Sequence, residues 1–238
     1  MLQEERRRAL AAKSDAALDA SPKDNASREK RLESAPEAVG RPLDRWESRH
    51  PLNLEDFRVQ GVSSVFYIPE WITGVEEQEI VDRVRSAPES AWVQLKHRRL
   101  QMYGGEVTTP FVAEPLPPWL EQIIDALIET KIFPVAHRPN HALINEYGVG
   151  DCILPHEDGP RYFPLVAIVS TSADAFVTFT RHRQHVDPEA HQQLRFPVKR
   201  RSLLLFTEDA YTKYLHGIDG IASGHRVSLT IRHVQEEP

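Results

Sequence analysis

Cysteine is nearly missing from this 238-residue chain: Cys152 stands alone. One cysteine excludes a disulfide framework and a cysteine-rich zinc site, and it fits a reducing compartment. Nor is there an excess of positive charge. Lys and Arg number 29 against 35 Asp and Glu, a formal net charge of −6. Holding bulk duplex DNA by phosphate neutralisation alone needs a basic face, so this balance argues against that mode, though not against a local groove. No run of 18 apolar residues occurs, so no membrane span is expected. The opening Met1-Leu2-Gln3-Glu4-Glu5-Arg6 lacks the apolar core of a signal peptide, and its acids do not suit a transit peptide. Glycine is scarcer than proline, 11 against 18, which favours stiff loops over long uninterrupted helices.

The charge that is present is unevenly placed. The first 50 residues carry 11 basic and 10 acidic side chains, and most of their apolar residues are Ala. Such a segment has too little large apolar surface to offset its ordering entropy. Residues 1–52 therefore read as a disordered or partly helical tail, with Arg6-Arg7-Arg8 and Arg28-Glu29-Lys30-Arg31 as solvated clusters or import patches. Residues 53–238 read as one folded domain with a sizeable core. Residence in both cytoplasm and nucleus is compatible with this, as is a monomer.

Within the domain, Ser64–Ile68 is a β-rich apolar run closed by Pro69. Thr73 precedes an acidic first turn and the apolar face Ile80, Val81 and Val84, a helix ended by Pro88. Pro117-Pro118 opens a second helix with Leu120, Ile123, Ile124, Leu127 and Ile128. Short β-like runs follow at 141–147, 164–170, 175–180, 202–206 and 225–234. The expected class is α+β and mainly β, a jelly roll (double-stranded β-helix) with supporting helices packed outside. The charged, His- and Gln-rich stretch 181–200 reads as a surface loop or hairpin tip. Lys199-Arg200-Arg201 reads as a solvated face.

Two segments carry chemistry. In Pro155-His156-Glu157-Asp158-Gly159, His156 and Asp158 are two apart and share one side of an extended chain. One imidazole and one carboxylate make two of the three ligands of a 2-His-1-carboxylate facial triad, although His-x-Asp alone also fits a polar turn. Gly224–Val234 alternates: Val227, Leu229 and Ile231 on one face, Arg226, Ser228, Thr230 and Arg232 on the other. That polar face either meets water or lines a barrel mouth, where an Arg fork grips a carboxylate. Arg226 and Arg232 would sit roughly 20 Å apart on a straight strand, so one shared role does not suit both. Upstream, Leu215-His216-Gly217 is a fitting context for a third ligand.

His156-x-Asp158, His216 and Arg226-x5-Arg232, with Asn145-x-Tyr147 ahead of them, resemble the AlkB family of iron(II)- and 2-oxoglutarate-dependent dioxygenases. Trp92-x-Gln94-Leu95, Arg99-Leu100-Gln101, Tyr103-Gly104-Gly105 and Leu116-Pro117-Pro118-Trp119 resemble that family's sixth-homologue branch. The resemblance covers about 57–238, and the interval from His216 to Arg226 is shorter than in relatives with a loop insertion there. It implies that His156, Asp158 and His216 bind iron, leaving positions for 2-oxoglutarate and O2. It implies that Arg226 holds the distal carboxylate of 2-oxoglutarate with help from Asn145 and Tyr147. Arg232 would lie nearer the proximal carboxylate or the substrate, and Ser228 would be a further pocket contact. The implied reaction yields succinate and carbon dioxide while hydroxylating a C–H bond. On an N-methyl group, that hydroxylation ends in release of formaldehyde.

Lys96–Tyr103 lies where such enzymes carry a lid over a flipped nucleotide. Arg98 and Arg99 are candidates for phosphate, and Tyr103 or Trp92 for stacking on a base, against the plainer expectation of an edge strand with Trp92 in the core. The partner would be single-stranded or flipped-base RNA or DNA. Two other readings stay open: the same oxygenase chemistry on a protein or small molecule, and a jelly roll that binds without turnover.

Overall fold

The computed structural model describes residues 46–184 and 192–235. Thirteen strands and three α-helices make up its regular structure. The strands are β1 (Val65–Ile68), β2 (Val93–Leu95), β3 (Arg98–Tyr103), β4 (Gly105–Glu106), β5 (Val112–Ala113), β6 (His141–Tyr147) and β7 (Ile153–His156). They continue with β8 (Leu165–Thr171), β9 (Ala175–Arg181), β10 (Gln193–Val198), β11 (Leu203–Thr207), β12 (Tyr214–Ile218) and β13 (Arg226–Arg232). The helices are α1 (Gly74–Ser86), α2 (Pro118–Glu129) and the short α3 (Glu208–Thr212).

Two antiparallel sheets face each other. The larger runs β1-β11-β8-β13-β6-β3-β2, the smaller β10-β9-β12-β7, and β4 and β5 form a separate two-stranded ribbon. This is the mainly β jelly roll with outer helices that the sequence predicts. β8 and β11 of the large sheet are covered on both faces, which is why they read as continuous apolar runs rather than alternating ones. In Leu203-Leu204-Leu205-Phe206, Leu203 and Leu205 pack toward the helices, while Leu204 and Phe206 pack toward the small sheet. Phe179 from the small sheet meets Phe206 edge to face at 5.4 Å between ring centroids.

The helices form where local signals allow. Thr73 caps α1: its hydroxyl accepts from the Glu76 N–H, and Glu76 accepts from the Thr73 N–H, a complete capping box. Ile80 and Val84 then press into the outer core. α2 begins with Pro118 at its first turn and buries Leu120, Ile123, Ile124 and Leu127 on the same layer. No helix among the described residues is long and apolar enough to cross a membrane.

Three sequence expectations change. Residues 1–45 of the expected tail lie outside the described residues, but 46–52 are docked on the domain. Trp46 is buried against Trp71, and Arg49 grips both oxygens of Glu76 at 2.7 and 2.6 Å. The stretch 181–200, expected as a surface loop or hairpin tip, contributes a strand to that hairpin: β10 pairs antiparallel along its whole length with β9. Its charge hides an alternation that sends Leu194, Phe196 and Val198 inward; His185 and His191 of the same stretch lie outside the described residues. Arg200 and Arg201 are not simply solvated. Arg200 bonds the buried Glu77 at 2.5 Å, Arg201 bonds Glu70 at 2.7 Å, and the Ser172 N–H also donates to Glu77. Together these tie the turn before β11 and the end of β8 to α1.

Burial pushes the Glu77 carboxyl up, but Arg200, the Ser172 N–H and Arg201 more than compensate and hold it below its ordinary value of 4.5. The group therefore stabilises the fold above pH 4.5, and the contribution disappears as pH falls through the lower folded value. Because Arg200 is half-exposed, Glu77→Gln is expected to cost only about 1–2 kcal/mol at neutral pH. Denaturant unfolding of both proteins at neutral pH and at successively lower pH below 4.5 checks this: the gap should close as the Glu77 carboxyl is protonated.

Candidate active site

β7 and β12 pair so that His156 stands directly opposite His216. Cross-strand partners put their side chains on the same face, and the two imidazole centroids are 4.3 Å apart. The pairing is tight because residue 217 is glycine: a Cβ there would sit 2.7 Å from the Ile153 carbonyl oxygen and 3.0 Å from the Pro155 nitrogen. Asp158 follows His156 by two positions, and its Oδ2 lies 3.9 Å from Nε2 of His216. One ligand atom from each of the three residues falls within 4.8 Å of the others.

These groups carry the protonation that metal ligation needs. His156 donates Nδ1–H to the Leu154 carbonyl at 3.0 Å, which leaves Nε2 with its lone pair. Burial pulls the His156 value down, and burial together with His156 pulls His216 down to about 3. Burial pushes Asp158 up, but Arg232, His216 and His156 outweigh it and hold the carboxyl below its usual range. Two neutral imidazoles and one carboxylate are thus present at neutral pH, and the buried Oδ2 of Asp158 has no hydrogen-bond partner among the described residues. That donor set fits a divalent iron with further positions open.

The polar face of β13 lines the same cavity. Arg226, Ser228, Thr230 and Arg232 all face it, with Asn145 and Tyr147 from β6 and Arg98 from β3. Arg226 is almost wholly buried, over the ring of Tyr147 at 5.4 Å, and one Nη donates to Ser170 at 3.0 Å. Its Nε and Nη1 have no hydrogen-bond partner among the described residues. A buried guanidinium with unused donors fits a carboxylate ligand, since unsatisfied buried polar groups are costly. Arg232 differs: it bonds Asp158 Oδ1 and lies 4.0 Å over the ring of Tyr162. The two arginines thus have separate surroundings, as their spacing suggests.

Sequence reasoning does not extend to every neighbour. Arg98 points into the cavity, but the pleat sends Arg99 and Tyr103 to the opposite face. Arg99 bonds Glu146 and lies 4.1 Å over Trp92, which is buried as the plainer expectation has it. Tyr103 packs edge-on against Trp119 of α2 and donates to Gln101 at 2.9 Å. Neither is brought to the cavity, so neither is placed to touch a base held there. Tyr162 and Tyr211 are missed by sequence reasoning because nothing in their local pattern marks them. Tyr162 lies under Arg232, and Tyr211 donates to the Gly159 carbonyl at 2.6 Å, bracing the loop that carries Asp158.

Comparison with known proteins agrees with this geometry. Residues 69–232 match the 2OG-Fe(II) oxygenase superfamily. The chain is 36% identical over 215 residues to a Danio rerio protein named "Probable RNA/DNA demethylase ALKBH6", covering 77% of this chain and 91% of that one. Among solved structures it resembles OsALKBH1, at a TM-score of 0.54 and 12% identity, over 71% of this chain and 98% of that one. It also resembles a 2OG-Fe(II) oxygenase family oxidoreductase from Burkholderia pseudomallei, at 0.53 and 14%, over 81% and 95%. At those identities the two structures speak to the fold alone.

Titration of the protein with Mn(II), followed by calorimetry, tests the cluster. His156→Ala, Asp158→Ala and His216→Ala should each weaken binding by about a hundred-fold or more, since each removes one of three ligands. Unchanged affinity in any of the three would remove that residue from the ligand set.

Proposed function

Because the chain belongs to the 2OG-Fe(II) oxygenase superfamily, within its AlkB family, we propose that it oxidatively demethylates N-alkylated bases of RNA or DNA. It is a dioxygenase that uses iron(II), 2-oxoglutarate and O2. When bound, these supply the oxidising power: 2-oxoglutarate leaves as succinate and carbon dioxide, and one oxygen atom goes to a substrate C–H bond. The chain's own part is to bind, orient and exclude water. His156, Asp158 and His216 would hold the metal at the wall of the cavity. Arg226 would take a carboxylate of 2-oxoglutarate with its unused donors, steadied by Ser170 and the face of Tyr147. Asn145 and Ser228 share that wall through direct register pairing of β6 with β13. Hydroxylation of an N-methyl carbon leaves a carbinolamine, which collapses to formaldehyde and the bare nitrogen.

The observation that carries the reading is the convergence of the metal cluster and the unpaired Arg226 on one cavity. Nucleic acid as the substrate class is favoured by the relationship to the Danio rerio protein over most of both chains. It sits with a domain whose net charge is negative, so binding would rely on a local surface rather than on long-range attraction.

Two measurements test this. Formaldehyde and succinate should form in step with methylated single-stranded RNA or DNA, and not with methylated peptides. Turnover on peptides alone would overturn the nucleic-acid reading while keeping the oxygenase. Separately, Arg226→Lys should weaken 2-oxoglutarate binding by about thirty-fold or more, because an ammonium cannot reproduce the bidentate fork. Loss of the weak visible absorption of the anaerobic iron(II)–2-oxoglutarate complex at ordinary cosubstrate levels, restored at high levels, would be its signature.

A further inference from the structure

The cavity that would receive an alkylated base is rich in positive charge. Arg98, Arg226 and Arg232 all line it. The buried carboxylate among them, Asp158, is already bonded to Arg232 and belongs to the metal cluster. The other lining carboxylate, Glu157, is more than half exposed and turns 3.3 Å toward His182. Loading the site does not change this balance, since a divalent metal and a dianionic cosubstrate cancel. The lining phenol rings offer no compensation either. The face of Tyr147 lies beneath Arg226 and that of Tyr162 beneath Arg232, so the protein's own cations already use both π surfaces.

With Arg226 assigned to a carboxylate of 2-oxoglutarate and Arg232 bonded to Asp158, Arg98 is the member of the three whose charge is left unanswered. It is buried, with 7% of its surface exposed, at the cavity end of β3. Its Nε donates to the neutral Asn145 Oδ1 at 3.1 Å, and among the described residues no carboxylate lies within ion-pair distance of it. A guanidinium has five N–H donors and no acceptor. The remaining donors of Arg98 can satisfy a carbonyl oxygen or an anion, and they repel a second cation.

We infer that this site takes neutral, carbonyl-bearing N-methylated bases and discriminates against cationic ones, with Arg98 as the residue that sets the preference. The inference rests on the demethylase reading and narrows its substrate class. N-methylation yields both kinds of base. N3-methylcytidine and N1-methyladenosine are protonated and so cationic at neutral pH. N3-methyluridine and N1-methylinosine have the same ring and methyl position but are neutral, with a carbonyl where the others have an amino group. Each pair therefore differs in the property at issue and little else.

The test uses the full chain and short single-stranded RNAs carrying one of the four bases. Fluorescence anisotropy reads binding, and formaldehyde release reads turnover. The wild type should favour the neutral member of each pair by about ten-fold or more, the size expected for one unanswered charge in a partly desolvated site. Arg98→Gln should bring the ratio near one, chiefly by losing affinity for the neutral member and gaining it for the cation. Arg98→Lys, which keeps the charge, should retain the discrimination and guard against misfolding of the glutamine variant. Retained 2-oxoglutarate binding in both variants would separate this role from a contact with the cosubstrate. Equal or better binding of the cationic bases by the wild type would overturn the inference, as would a ratio that Arg98→Gln leaves unchanged. No preference for any methylated RNA over its unmethylated counterpart would overturn the demethylase reading together with it.

Discussion

The pleat of β13 sorts its seven side chains onto two faces with opposite surroundings. One face, Val227, Leu229 and Ile231, is fixed in the outer core beneath the helices. The other, Arg226, Ser228, Thr230 and Arg232, must then face the cavity between the sheets. A slip of one residue would exchange the faces, driving two guanidinium groups into the helix layer and three aliphatic side chains into the site. The slip is opposed on both sides, because β13 is paired with β6 through seven residues and with β8 through five. Strong hydrophobic burial on one face thereby holds charged groups in a place they would not choose alone.

That placement has a cost which a folded chain normally avoids. Arg226 is buried with two nitrogens unpaired, and Arg232 also keeps unpaired donors despite its bond to Asp158. Buried groups of this kind destabilise a protein until something satisfies them. The metal cluster has the same character: His216 is held neutral and Asp158 ionised, with a lone acceptor oxygen buried beside them. Ligands that bind such groups in the folded state, and not in the unfolded chain, return that stability. The site and the fold are therefore energetically coupled, although the core that positions the site lies on the other face of the sheet.

Much of this was legible in the sequence, and what was not has definite causes. The alternation of 226–232 reads directly because a strand with one apolar and one polar face has period two. His156-x-Asp158 reads because residues two apart share a side on any extended chain. The third member, His216, depends on a long-range strand pairing, and its context only made it a reasonable candidate. β10 escaped because exposed charges and glutamines mask its three inward apolar positions. The mixed role of 98–103 escaped for a related reason. Both faces of β3 carry polar residues, so composition could not say which meets the cavity. Only pairing with β6 fixes Arg98 inward, beside Asn145, and Arg99 outward, beside Glu146.

The division of charge inside the domain follows from the same pleat. Acidic residues outnumber basic ones over 51–238, yet the cavity is lined by three arginines and has few carboxylates to answer them. Surface acids such as Glu55 and Asp219 are taken up by surface partners, Arg58 and Arg195, where water and salt screen them. The cavity cations sit where screening is weak, so their sign matters more to a ligand than the net charge of the whole chain. An acidic exterior would slow the approach of a polyanion without altering what the cavity accepts on arrival. Selection at this site would then act on the local charge of the base rather than on the phosphate chain that carries it. On this reading β3, through Arg98, shapes specificity, while β13 and the β7–β12 pair shape chemistry.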